Sequence, residues 1–371
     1  MVVGSVKGPR IGYVPLSANL VAPGDKRRFV AYARARNLAF EIADPNERYD
    51  LVILTERADI SVWPDYGHGR IVYDLIDSYL SVPRTNLRQL LRGSAWYILG
   101  KHKKFRFDYL SSVRAMCARA NAVICTTQEQ RNLIREMCDN VHIILDIHSS
   151  VVKEIKKDYV ADVQLRMVWE GLPSNLTQLT EIAPLLRRLG QQSFELHVVT
   201  DLKQKRPGAL GYVDTRQFLA RHFANAVFHS WDEQTMAKII TRCDLALIPI
   251  NLDDPFTRGK PENKLLLLWR LGMPVVASAT PAYSRAMANV GTPELACSSD
   301  DDWMSAITRL GADETMRSEI GAKGRAYAEG SHGTEATLSR WDRVFESLGY
   351  FFGSTRQTCG ELTAAAARDN R

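Results

Sequence analysis

The sequence predicts an α/β protein with two domains, each built on a doubly wound parallel sheet. Short apolar runs of strand length alternate with helical segments along most of the chain, which is the pattern of such sheets. A length of 371 residues suffices for two domains, and a charged break at 153–158 divides the runs into two sets. We therefore expect a first domain over residues 1–157 and a second over 158–335. A last helix over 336–352 and a disordered polar tail over 353–371 complete the prediction.

The overall composition is typical of a soluble globular protein, with 45% hydrophobic and 24% charged residues. The net charge of +6 suits a phosphorylated ligand or an anionic membrane surface, and it is too small to indicate nucleic acid. Six cysteines without a C-x-x-C pair favour a reduced, cytosolic setting. We expect neither a signal peptide nor a membrane span, and therefore a cytoplasmic protein.

The first domain is predicted to contain six strands. Continuous apolar runs mark them, as expected for parallel strands that are buried on both faces. Their predicted bounds are 10–16, 40–42, 49–55, 69–75, 122–126 and 141–145. A helix from about residue 26 has an apolar face formed by Phe29, Val30 and Tyr32, and another helix is predicted over 111–121.

The second domain repeats this alternation of strands and helices. Its strands are predicted at 165–169, 194–200, 227–229, 245–250, 274–278 and, more weakly, 294–297. Its helices are predicted at 176–189, 283–288, from 303 onward, 313–328 and 334–348. Asp300, Asp301 and Asp302 are best explained as caps of the helix from 303, and residues 201–211 are predicted to form a loop.

The segment from Asp244 to Ser278 carries the strongest signal for a ligand site. After its first strand comes a loop with Arg258 and Lys260, and we predict that Pro261 opens a helix that Gly272 ends. The first turn of that helix carries Glu262, Asn263 and Lys264. Free N–H groups and the positive end of the helix dipole, next to a cationic loop, indicate an anion site, most often for phosphate. The alternative is an ordinary crossover whose charges serve only solubility.

This segment resembles the donor domain of nucleotide-sugar glycosyltransferases of the GT-B fold, of the retaining type. The resemblance rests on Asn263-Lys264, eight residues of mostly apolar helix, and then Gly272-x-Pro274-Val275-Val276. It implies two Rossmann-like domains that face a cleft, with the last helix crossing back to the first domain. It also implies a hexosyltransferase-like enzyme of polysaccharide or glycoconjugate biosynthesis, which moves a sugar from a nucleoside-diphosphate sugar to a glycan or lipid-linked acceptor.

The resemblance also suggests which residues bind the donor. The diphosphate and sugar would be held by Gly171, Arg258, Lys260, Glu262, Asn263 and Lys264. Trp231 and Ser230 lie where the family builds its nucleobase pocket, although a structural role for the tryptophan is an equal alternative. No cofactor beyond the donor and no metal are expected, because the sequence has neither a His/Cys cluster with metal spacing nor a D-x-D motif.

Two aspartates follow the fourth strand of the first domain. The segment IVYDLIDSYL contains Asp74 and Asp77 and is similar to the family segment that faces the cleft from this side. Either carboxylate could contact the acceptor or act as a base. The alternative is that they cap the following turn. Asp77 is the stronger candidate because it lies farther past the strand.

The sequence departs from the family pattern at two positions. Many retaining members have two glutamates eight positions apart, the second of which accepts hydrogen bonds from ribose hydroxyls, and here these positions hold Gly259 and Leu267. The departure indicates altered donor recognition or lost activity. It leaves open a nucleotide-sugar epimerase of the same fold and a non-catalytic binding protein. His148 replaces a usual Asn-Gly turn and receives no role.

Residues 96–107 combine aromatic and cationic side chains in the sequence WYILGKHKKFRF. Such a segment could lie on an anionic bilayer and place the protein at the inner face of the membrane. The alternative is a corner between helices whose aromatic rings are core and whose lysines are solvated.

Overall fold

The computed structural model describes residues 8–83, 86–190, 193–205 and 211–353. Two six-stranded sheets, each with all strands parallel, form the framework, one within residues 11–143 and the other within 165–297. The predicted α/β class and the two sheets are thereby confirmed. The tail that we expected to be disordered lies, from residue 354 onward, outside the described residues.

The first sheet has the strand order β2-β1-β3-β4-β5-β6. Its strands are Ile11–Val14 (β1), Glu41–Ile42 (β2), Leu51–Thr55 (β3), Arg70–Asp74 (β4), Ala122–Cys125 (β5) and Val141–Ile143 (β6). Its helices are Pro23–Arg27 (α1), Phe29–Ala35 (α2), Leu87–Ile98 (α3), Tyr109–Arg119 (α4) and Gln128–Ile134 (α5). Each predicted strand of this half is present, with ends shifted by one or two residues.

The helix predicted from residue 26 is in fact two short helices. The first begins at Pro23, whose missing N–H is no loss at a helix start. Arg28 then leaves the helical region, with φ −123° and ψ −118°, before α2 begins. Its guanidinium is buried against Asp74, so the break places a cation beneath the sheet edge. Sequence periodicity could not reveal this break because the residues of the predicted apolar face, Phe29, Val30 and Tyr32, all lie in α2.

The second sheet has the strand order β11-β8-β7-β12-β13-β14, and a separate antiparallel pair, β9 and β10, lies beside it. The strands in chain order are Leu165–Glu170 (β7), Phe194–Thr200 (β8), Lys203–Lys205 (β9), Tyr212–Asp214 (β10), Ala226–Ser230 (β11), Leu245–Ile248 (β12), Val275–Ser278 (β13) and Ala296–Cys297 (β14). The prediction of a plain loop over 201–211 was wrong for β9, because its polar sequence carries no strand pattern.

Ten helices of the described residues belong to this half. They are Leu176–Glu181 (α6), Ala183–Leu189 (α7), Thr215–His222 (α8), Met236–Thr241 (α9), Pro255–Arg258 (α10), Asn263–Arg270 (α11), Pro281–Asn289 (α12), Asp300–Ala312 (α13), Glu314–His332 (α14) and Thr334–Glu346 (α15). The helix predicted over 176–189 is interrupted at Ile182, because Pro184 has no N–H for a continuous ladder. Three short helices, α8 to α10, were not predicted.

The central helix of the ligand-site segment starts two residues later than predicted. Glu262 is the N-cap residue of α11 and Asn263 is its first helical residue, so Pro261 does not open it. The reason is the short helix α10, which Pro255 opens and the Asp254 side chain caps, and which leaves residues 259–261 as a connection. Gly272 follows the helix with φ +77°, as a glycine after a helix end should.

The last helix packs against the first sheet. The rings of Trp341 and Phe345 contact Tyr32 of α2, and the Tyr32 hydroxyl donates to Asp342 over 2.8 Å. Arg36 makes an ion pair with the same carboxylate at 2.7 Å. The helix at the end of the second half therefore crosses back to the first and holds the two sheets together.

Candidate functional site

The candidate site is a cleft in which loops at the carboxyl ends of both sets of strands meet. Ser78, after β4, donates through Oγ to the carbonyl of Gly259 over 2.5 Å. The backbone N–H of Asp146, after β6, donates to Oδ1 of Asn263 over 2.9 Å. Open α/β sheets bind their ligands at this edge. A cavity of about 410 Å³ lies between the two halves and is lined by residues of both.

Lys264 and Gly171 form one wall of this cavity. The Lys264 ammonium donates to the carbonyl oxygen of Glu170 and lies 4.9 Å from the centre of the Trp169 ring. A Cβ on residue 171 would lie 2.5 Å from that ammonium, so a side chain there would displace Lys264 from its present position. Burial lowers the pKa of Lys264, which means that the charged form would be stabilised by an anion placed beside it.

Of the other predicted diphosphate residues, Asn263 lines the cavity and Lys260 lies at its rim. The Lys260 ammonium donates to Asn175 over 3.0 Å, and Asn175 itself lines the cavity. Burial and the neighbouring charge of Lys264 lower the pKa of Lys260 to about 8. The two ammonium charges are thus close enough for one to disfavour the other.

Arg258 and Glu262 are not brought into the cavity. Arg258 ends α10 with an exposed side chain. Glu262 turns away from the lining residues, and its Oε2 has no hydrogen-bond partner among the residues that the structure describes. Burial raises the pKa of Glu262 to about 7. Roles for these two in donor binding remain predictions that this geometry does not support.

Of the two predicted nucleobase residues, one lines the cavity and the other does not. Trp231 lines the cavity, and its indole N–H donates to Oε1 of Glu170 over 3.1 Å. Ser230 ends β11 as an exposed residue outside the set that lines the cavity. Because Glu170 contacts Lys264 through its carbonyl and Trp231 through its carboxylate, this one residue connects the proposed diphosphate and base positions.

Asp74 is the less suitable of the two acceptor-side carboxylates. Both of its oxygens accept from Arg28, at 2.8 and 2.6 Å, and the residue is 2% exposed. With one guanidinium on both oxygens and almost no exposed surface, this carboxylate is out of reach of a substrate in the cleft. Asp74 therefore serves the ion pair at the end of β4, and neither the capping role nor the acceptor role describes it.

Asp77 lies closer to the cleft and shares its surroundings with Glu56. Its backbone N–H donates to Oε2 of Glu56 over 3.2 Å, and the next residue, Ser78, is the one that contacts the opposite half. Burial raises the pKa of both carboxyls, and the charge of Asp77 adds to the effect on Glu56, whose pKa rises to about 8. Glu56 was not predicted, although its place directly after β3, beside the end of β4, was a usable signal.

The contact between Ser78 and residue 259 explains one missing glutamate. A Cβ at position 259 would lie 2.5 Å from the Cβ and Oγ of Ser78, so no side chain fits there. Leu267, at the second position, is 2% exposed and lines the cavity. It offers an apolar surface where the family pattern has a hydrogen-bond acceptor.

The first half contributes cavity residues that sequence reasoning missed. They are Lys26 and Arg27 from α1, and Asp146 and His148 after β6. The Lys26 ammonium lies 3.4 Å from the carboxylate of Glu233, an ion pair across the cleft. No motif marks these positions, because they meet the donor side only after both sheets have formed.

The segment 96–107 contains both buried and exposed aromatic groups. The Trp96 ring packs between His102 and Tyr109, so this part is core. Large apolar side chains nonetheless remain exposed, namely Tyr97, Ile98, Leu99, Phe105 and Phe107. We call residues 97–107 the apolar-basic patch, since four cations lie among these side chains. Among the helices of the described residues, none has the length and apolar character required to span a bilayer.

Comparison with known proteins identifies the fold. No protein-family model and no curated protein matches the sequence. Among solved structures, TarM superimposes with a TM-score of 0.55 and 13% identity over 80% of this chain, which spans about half (54%) of TarM. One TarM variant was solved with UDP and α-GlcNAc-glycerol.

Two further solved structures match more of their own length. Sucrose-phosphate synthase from Thermosynechococcus elongatus gives a TM-score of 0.56 at 14% identity, covering 86% of this chain and 76% of that one. WaaG, a glycosyltransferase of lipopolysaccharide biosynthesis, gives a TM-score of 0.56 at 12% identity. The match covers 90% of this chain and 99% of WaaG. With its two parallel six-stranded sheets on either side of a cleft, the chain has the GT-B fold of these glycosyltransferases.

Proposed function

We propose that this protein transfers a sugar from a nucleoside-diphosphate sugar to an acceptor hydroxyl. The observation that carries the proposal is the convergence of Gly171, Lys264 and the start of α11 on one wall of a cavity between the two sheets. Its volume of about 410 Å³ is within the range of small-molecule sites. The UDP bound to the TarM variant supports a donor of this class for a chain of the same fold.

In the proposed reaction the bond between the sugar C1 and the diphosphate oxygen breaks while the acceptor oxygen bonds to C1. The negative charge that develops on the diphosphate is stabilised by Lys264, Lys260 and the free N–H groups at the start of α11. Lys264 exchanges the Glu170 carbonyl for a phosphate oxygen. The acceptor proton passes to the Asp77 carboxylate, or to the departing diphosphate if the enzyme retains configuration.

We further propose a lipid-linked or glycan acceptor at an anionic membrane surface, which the apolar-basic patch would contact. Ile98 is 81% exposed and Leu99 is 67% exposed, values that water alone does not favour for such side chains. Lys101, Lys103, Lys104 and Arg106 are exposed cations of the same segment, and Lys104 forms an ion pair with Asp65. A peripheral enzyme of glycoconjugate biosynthesis on the cytoplasmic face of a membrane would use both features.

Calorimetric titration with UDP, GDP and ADP, on wild type and on Lys264→Ala, tests the proposed donor site. Loss of a charge-assisted hydrogen bond should weaken the binding of the favoured diphosphate by about 10- to 100-fold. Lys238→Ala is the matched control, because Lys238 is an exposed lysine on α9. Turnover of the corresponding sugar nucleotides would then be assayed on the same variants.

The outcomes separate the possible functions. Binding that Lys264→Ala abolishes, together with release of the nucleoside diphosphate, supports a transferase. Release of a modified nucleotide sugar would indicate an epimerase, and binding without turnover would indicate a binding protein. If none of the three nucleotides bound wild type, the proposal would be overturned.

A further inference from the structure

His148 lies in the wall of the donor cavity with one ring nitrogen fixed. It lines the cavity, is 2% exposed, and its Nδ1 contacts the guanidinium of Arg270. Arginine can only donate hydrogen bonds, so Nδ1 must be the accepting nitrogen. The ring proton of the neutral imidazole is therefore on Nε2. Burial and the charge of Arg270 lower the pKa of His148 well below its ordinary value, which keeps the ring neutral.

The orientation of Arg270 is itself fixed. Its guanidinium donates to the carbonyl oxygens of Ala328 and His332 near the end of α14, in addition to its contact with His148. A planar group held at three points cannot rotate to release Nδ1. The Nε2–H of His148, for which the described residues contain no hydrogen-bond partner, is thus left as a fixed donor at the cavity wall.

The position of His148 along the cavity identifies what it would meet. On α11, Leu267 lies about one turn after Lys264, and Arg270 lies about one turn after Leu267. His148, which contacts Arg270, lines the same cavity as Leu267. Trp231 lies at the other side, connected to Lys264 through Glu170. In a nucleotide the ribose joins the base to the diphosphate, so it would pass between these groups.

We propose that the Nε2–H of His148 donates a hydrogen bond to the ribose diol of the donor nucleotide. This inference rests on the proposed function and deepens it, because it supplies the ribose recognition that Leu267 cannot provide. Because no described residue accepts this Nε2–H, a ribose hydroxyl could accept it without displacing a protein contact. The substrate class is then a sugar linked to a ribonucleoside diphosphate.

The test compares nucleoside diphosphates with their 2′,3′-dideoxy analogues by calorimetry on wild type and two variants. Wild type should bind UDP, GDP or ADP, whichever it prefers, about tenfold more tightly than the dideoxy analogue. His148→Leu should lose this preference by weakening only the ribonucleotide. His148→Gln, whose amide N–H reaches a similar position, should retain part of it.

Two results would overturn the role of His148. One is equal weakening of both ligands by His148→Leu, which would indicate a structural effect, and the other is a wild type that does not distinguish them. If no nucleotide binds wild type, the failure belongs to the proposed function instead. The two hypotheses are thereby tested separately.

A measurement on the unmutated protein covers the case in which His148→Leu does not fold. Nitrogen-15 NMR of histidine-labelled protein, with the His148 signal assigned by its absence in His148→Gln, should find the Nε2–H form. Addition of the ribonucleotide should shift this Nε2–H signal, and addition of the dideoxy analogue should shift it less. An Nδ1–H form, or equal shifts, would contradict the inference.

Discussion

Replacing Glu56 with glutamine should remove a large part of the pH dependence of stability near neutrality. Glutamine has the same shape and can still accept the N–H of Asp77, which Glu56 accepts over 3.2 Å. The change therefore removes an ionisable group from a buried pair without removing its hydrogen bond.

The sign and size of this pH dependence follow from the raised pKa of Glu56. Burial raises the pKa of Glu56 from 4.5 to about 8, so between these values the folded protein holds a proton that the unfolded chain has lost. Since the folded state binds more protons, stability falls as pH rises, by about 1.4 kcal/mol per pH unit. Between pH 6 and pH 7 wild type should thus lose about 1.4 kcal/mol of unfolding free energy that Glu56→Gln does not lose.

Urea denaturation of both proteins at pH 6.0, 6.5 and 7.0 measures this difference. Glu294→Gln is a suitable control, because Glu294 is exposed and should leave the wild-type slope unchanged. If the unfolding free energy changed with pH by the same slope in wild type and in Glu56→Gln, Glu56 would be ionised in the folded protein. The Asp77–Glu56 pair could then not hold a proton at neutral pH.

Two further predictions concern the first half of the molecule. Arg28→Met should lower the unfolding free energy by about 3–5 kcal/mol, because it leaves Asp74 buried without its cation, and a loss below about 1 kcal/mol in urea denaturation would contradict the pairing. Ile98→Asp should weaken binding to phosphatidylglycerol vesicles, measured by co-sedimentation, about tenfold, because an exposed apolar side chain of the patch is replaced by an anion. Phe351→Asp, at a position that is 79% exposed and outside the patch, is the control, and equal weakening of both variants would refute membrane contact.

The places of the predicted donor-side residues in the fold could be predicted because their signals are local. Asn263 and Lys264 stand at the start of one helix and Gly171 at the end of one strand, and each position follows from short-range punctuation by glycine, proline and apolar runs. The same local signals led us to place the helix start at Pro261, two residues too early. It could not reveal α10, a four-residue helix without apolar periodicity.

The acceptor side and the cavity wall could not be predicted to the same extent. Glu56 and Asp77 follow different strands, β3 and β4, and their shared burial depends on strand order. His148 is 122 residues away from Arg270, and only the packing of the two halves places that guanidinium on Nδ1. The sequence favoured Asp77 over Asp74 only by its distance past the strand, and it gave no sign that Arg28 would hold both oxygens of Asp74.

The sequence by itself determined the fold class, the alternation of strands and helices, and the segment at the start of α11. These depend on hydrophobic periodicity and on backbone preferences that act within a few residues. Tertiary structure alone decided which side chains meet. It placed Ser78 against Gly259, so that no glutamate fits there, and left His148 as a donor beside Leu267. Such contacts join distant parts of the chain, and the burial that gives them their chemistry exists only once both sheets have packed.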